Sequence, residues 1–112
     1  MNSLPRTPKE MVTDPALLDA ALEPLRESFP DIHEPIVAAM RERMEPDGSM
    51  TFIVTKLARS AGVPWRKLSS YLQRGRRSGL MTLLGKRMET GEQRYCALQP
   101  VAAPADRQTA EV

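Results

Sequence analysis

AGVPWRKLSSYLQRGRRSGL, residues 61–80, is the stretch whose reading decides the fold. It carries Arg66, Lys67, Arg74, Arg76 and Arg77, the chain's only tryptophan (Trp65), and glycines at 62, 75 and 79. Pro64 suits the opening of a helix, and Gly62 and Gly79 suit left-handed helix ends, so a helix is predicted over 64–78 between two stops. At about 100° per residue, Trp65, Leu68, Leu72 and Gly75 fall on one side, with Tyr71 beside them. Arg66, Ser70, Gln73 and Arg77 fall on the opposite side, flanked by Ser69 and Arg74. One face is therefore apolar and the other basic and hydrogen-bonding.

Working outward, KLARSA (56–61) reads as a short helix capped by Thr55, with Leu57, Ala58 and Ala61 inward and Val63 in the turn that follows. MTFIV (50–54) is rich in strand formers, and EPDGS (45–49) is a turn by composition. DIHEPIVAAMRERME (31–45) predicts a helix with a capping box from Asp31 to Glu34. Its apolar stripe is Ile32, Ile36, Ala39, Met40 and Met44. Before it, Asp14 and Pro15 open a helix carrying Leu18, Leu22, Leu25 and Phe29, which Pro24 should break near 21–23. On the other side, LMTLLGKR (80–87) and EQRYCAL (92–98) are strand candidates joined by a Thr-Gly turn. Residues 1–12 read as a flexible N-terminus and 99–112 as a flexible tail, leaving 13–98 as one domain.

The order helix, short strand, helix, tight turn, basic helix, hairpin carries a resemblance. The elements Leu57-Ala58, Ala61-Gly62-Val63, Leu68 with Leu72, and Ser78-Gly79-Leu80-Met81 resemble, without a gap, the core of a winged helix-turn-helix domain. The likeness spans 32–98. It implies a mainly α fold with a small β-hairpin (α+β), extra N-terminal helices, a recognition helix at 64–78 and a wing at 80–98. The departure is Gly75, where that family has a large apolar residue. Either a neighbour packs close there, for instance from 14–29, or the helix frays before Arg76 and Arg77.

Charge divides the chain. Residues 1–49 hold five basic and ten acidic residues, whereas 50–94 hold ten basic residues against Glu89 and Glu92. A basic half suggests a polyanionic partner, and the winged-helix resemblance makes that partner double-stranded DNA. Arg66, Ser69, Ser70 and Gln73 are the expected base readers, with Lys67 and Arg74 on phosphates, Arg77 a further DNA-binding residue of the recognition helix, and Lys86, Arg87 and Arg94 on the wing. A small transcriptional regulator is the expected role. A module that docks on an acidic protein surface in a multi-subunit assembly is the alternative, and RNA binding a third reading. Leu17, Leu18, Leu22 and Leu25 suggest a homodimer through the N-terminal helices.

Other residues read more plainly. Trp65, Phe52 and Tyr95 are taken as core, His33 as a helix-start residue with no ligand near it in sequence, and Cys96 as a buried hydrophobe. No catalytic set, phosphate loop, cofactor, metal or small-molecule site is evident, so an enzyme is not expected. The lone cysteine, the absence of a signal-like h-region in MNSLPRTPKEM and the absence of a long apolar run point to the cytoplasm and to no membrane span.

Overall fold

The structure is a computed structural model that describes residues 9–100. The readings of 1–8 and 101–112 as flexible lie outside those residues. Strand β1 (Lys9–Met11) leads into a 3-10 turn (Pro15–Leu17), helix α1 (Leu18–Leu22) and a second 3-10 turn (Glu23–Leu25). Helix α2 (His33–Arg41), strand β2 (Met50–Phe52), helix α3 (Val54–Ala61) and helix α4 (Trp65–Arg77) follow. Strands β3 (Met81–Lys86) and β4 (Gln93–Pro100) complete an α+β fold with a four-stranded antiparallel sheet.

Local chemistry explains most boundaries. The Asp14 carboxylate accepts from the Ala16 amide at 2.9 Å, and Pro24 divides α1 from the second 3-10 turn as its missing amide requires. Gly62 (φ 73°) ends α3, with its own amide on the Arg59 carbonyl and that of Val63 on Ala58. Gly79 (φ 74°) ends α4 in the same manner, through Gly79 to Arg76 and Leu80 to Gly75. Both are Schellman stops, where only glycine adopts the left-handed turn without strain.

Two predicted caps do not form. Helix α2 starts after Ile32 with no side-chain cap, because the Glu34 carboxylate is engaged by Arg26 at 2.7 Å instead of turning back to Asp31. Thr55 is the second residue inside α3 rather than its cap, since the amides of Lys56 and Leu57 already bond to Ile53.

The central strand is β4. It pairs with β3 along one edge, Met81 opposite Ala97 and Lys86 opposite Gln93, with an irregularity between Leu83 and Gly85. On the other edge lie β2, with Met50 opposite Tyr95, and β1, with Lys9 opposite Pro100. The assignment of edges follows from one peptide. The Ala97 carbonyl accepts from Val12, the Leu98 amide donates to Leu80, and these two groups point opposite ways. Residues 9–12 and 99–100 are therefore not loose: they zip together. Lys9 also reaches across to the Gly79 carbonyl at 2.7 Å, at the end of α4.

The core lies between the sheet and the helices. Leu18, Leu22, Leu25, Ile36, Met40, Leu57, Leu68, Tyr71, Leu72, Met81 and Tyr95 are all buried in it. Phe52 and Tyr95 stack with centroids 5.3 Å apart, as expected of core aromatics, and Cys96 is buried with its thiol pushed up by desolvation. The expected dimer surface is largely taken up. Leu18, Leu22 and Leu25 are consumed by this chain's own core, and only Leu17 of the four remains exposed.

Gly75 is explained by β3. A Cβ at this position would lie 2.9 Å from both Cγ and Cε of Met81. The absent side chain makes room for Met81 rather than for anything in 14–29, and α4 continues unfrayed through Arg77.

Candidate nucleic-acid interface

Helix α4 is 13 residues long, about 20 Å at 1.5 Å per residue. Leu68, Tyr71, Leu72 and Gly75 are its buried positions, which fixes the opposite face outward. Arg66, Ser69, Ser70, Gln73 and Arg77 are exposed on that face as predicted, with Lys67 and Arg74 exposed on one flank.

Outward residues of α4 turn to three places. Gln73, Arg76 and Arg77 line one shallow recess on the outer face. Ser69 and Arg76 face Leu83, Lys86 and Gln93 across a groove between α4 and the hairpin, so the helix and Lys86 act on one surface. Lys67 and Arg74 turn toward the N-terminal segment: Lys67 lines a recess with residues 28–32, and Arg74 lies 3.5 Å from the Ser28 hydroxyl.

The hairpin residues divide too. Lys86, Arg87 and Arg94 line a common recess with Thr51 and Glu92. Side chains alternate along β4, however, and Tyr95 and Ala97 face the helices, so Arg94 belongs to the other face of the sheet. There it forms a 2.9 Å ion pair with Asp47. Ser49 donates its hydroxyl and amide to the same carboxylate, and these two bonds, followed by the charge of Arg94, hold Asp47 below the usual carboxylate range. Of the three predicted wing cations, only Lys86 lines the groove with α4.

Two residues of this surface escaped the sequence reading. Arg76 sits in the groove close enough to Tyr95 to oppose the upward push that burial gives its phenol. Its position next to Ser69 on the helical wheel was the available signal. Trp65, expected in the core, is 50% exposed. It occupies the first turn of α4, and the Arg66 guanidinium lies 5.3 Å from its ring centroid. Stacking of this kind leaves the in-plane N–H donors of Arg66 free and restricts its rotamers.

The electrostatics are one-sided. No Asp or Glu occurs between Asp47 and Glu89, a span that contains α3, α4 and β3. Among the described residues, Arg66, Lys67, Arg74, Arg76, Arg77, Lys86 and Arg87 have no carboxylate within 4.0 Å. Cations gathered without counter-charges repel one another and favour a polyanion. No helix among the described residues is long and apolar enough to cross a membrane. No protein-family model, curated protein or solved structure matches the chain.

Proposed function

We propose that this chain is a winged-helix protein that binds double-stranded DNA sequence-specifically, as a small regulator of transcription in the cytoplasm. In this reading α2, β2, α3 and α4 form the helix-turn-helix core, α4 enters the major groove, and the β3–β4 hairpin is the wing. The observation that carries it is the groove where Ser69 and Arg76 of α4 meet Lys86 of the hairpin, with no carboxylate among its lining residues. Arg66 and Gln73 have the donors and acceptors for bidentate contacts with guanine and adenine, Ser69 and Ser70 add hydroxyls, and Arg76, Arg77, Lys86 and Arg87 suit phosphates.

The test is a titration of the chain against random and selected duplexes at two salt concentrations. Phosphate contacts predict affinity that falls by orders of magnitude between about 50 and 200 mM salt. Arg66→Ala and Gln73→Ala should each lose about 1–3 kcal/mol of discrimination at one base pair. Absence of duplex binding at low salt refutes the proposal. The exposed Trp65 beside Arg66 favours a second reading, since both residue types are enriched at protein–protein hot spots. Capture of an acidic protein surface with no duplex binding would select it.

A further inference from the structure

Beneath α4 lies a set of polar groups that the basic face does not use. Asp19 of α1, Glu23 of the second 3-10 turn and His33 at the start of α2 bring one donor atom each to within 4.8 Å of one another. His33 is fully buried. Its Nε2 and the Asp19 Oδ1 that faces it are both shielded from solvent, and neither has a hydrogen-bond partner among the described residues. Paired buried groups are the rule, so two orphans facing each other call for an explanation.

Their separation supplies one. At 3.5 Å, Nε2 and Oδ1 are too far apart for a good hydrogen bond, which needs about 2.7–3.2 Å. Two ligands bound to one tetrahedral ion at about 2.0–2.2 Å lie roughly 3.3–3.6 Å apart. The surroundings are also net negative: Asp19, Glu23 and Glu34 contribute three carboxylates, and Arg26 contacts all three at 3.6, 2.9 and 2.7 Å.

The geometry points to a divalent transition-metal site, zinc foremost, ligated by His33 Nε2, Asp19 and Glu23 with the fourth position left to water. One imidazole with two carboxylates selects such an ion over magnesium or calcium. Glu23 must move closer to complete the set; its side chain is 54% exposed, which leaves it room to do so, and one of its oxygens is bonded to Arg26 at 2.9 Å. On the far side of the ring, Nδ1 lies 3.0 Å from the Tyr71 hydroxyl. With Nδ1–H donating to Tyr71, the Nε2 lone pair is left for the metal, the outer-shell arrangement that orients ligating histidines. Tyr71 belongs to α4, so the ion would brace the helix that carries the basic face.

The experiment uses the untagged full chain, stripped with chelator and then titrated with Zn²⁺ by calorimetry and with Co²⁺ by visible absorption. One equivalent should bind, with the intense bands of four-coordinate cobalt and a zinc-induced rise in unfolding midpoint that chelator reverses. Asp19→Asn alters a half-exposed side chain and should fold; it should weaken zinc binding at least about tenfold. His33→Gln should do the same. Lack of binding at millimolar metal overturns the proposal, and so does binding that Asp19→Asn weakens less than tenfold. Because the readout is metal alone, it stands apart from the outcome of the DNA titration.

Discussion

Gly75→Ala sets two known effects against each other. Alanine in a helix interior gains about 0.5–1 kcal/mol over glycine. Here the new methyl would lie 2.9 Å from Met81 Cγ and Cε and 3.2 Å from its sulfur. Cε could swing aside, but Cγ moves only by a change of χ1, which the packing around Met81, 2% exposed, resists. Overpacking of this kind costs about 1–3 kcal/mol, so it should offset the propensity gain and leave a net loss of up to about 2.5 kcal/mol. For a chain of this size the midpoint should fall by up to about 15 °C. The assay is thermal and urea unfolding of Gly75→Ala, Met81→Ala and the double variant. Met81→Ala alone should lose about 2–5 kcal/mol, and the double variant should lose less than the sum because the methyl added at position 75 then occupies vacated space. A Gly75→Ala midpoint above that of the parent, or strict additivity, would refute the argument that Met81 excludes a side chain there.

Leu22→Ala should destabilise by about 2–5 kcal/mol in urea unfolding, because α1 is part of the core; a change under about 0.5 kcal/mol would mean that the N-terminal segment is dispensable. Lys9→Ala should lower stability by about 0.3–1 kcal/mol, since Lys9 sits at the negative end of the α4 dipole, and exchange of the Leu80 amide should quicken. Asp47 has a folded pKa lowered from 3.8, so its contribution is present above that value and is lost as pH falls through the lower folded one. Asp47→Asn should therefore flatten the acid limb of a pH–stability curve below about pH 4, and an unchanged limb would show that the Ser49 and Arg94 contacts do not matter.

What the sequence disclosed was mostly local. Gly62, Gly79, Pro15 and Pro24 act through their own backbone, so their positions could be read without knowing what lay nearby. The buried and exposed faces of α4 were legible for the same reason, since periodicity is a property of the helix itself. Trp65 was misjudged because periodicity cannot say where a core ends, and its first-turn position lies past that edge. Asp31 and Glu34 had capping-box spacing, but Arg26 took Glu34 first. The Glu10–Gln99 pairing and the meeting of His33 with Tyr71 join residues 89 and 38 positions apart, and no local pattern announces such contacts.

The placement of β4 also orders events during synthesis. Strands β1, β2 and β3 all find their hydrogen-bond partner in β4, and β4 follows them in the chain. A ribosome that has not yet released Gln93–Pro100 exposes three strands without their sheet partner, β2 keeping only the bridge of Met50 to Met44, while α2, α3 and α4 can already contact one another. Nascent chains stalled before Gln93 should therefore contain helix but no sheet, and should be cut readily by protease within 50–52 and 81–86. Release of the last strand should protect both segments, and residues 9–11 with them, in one step.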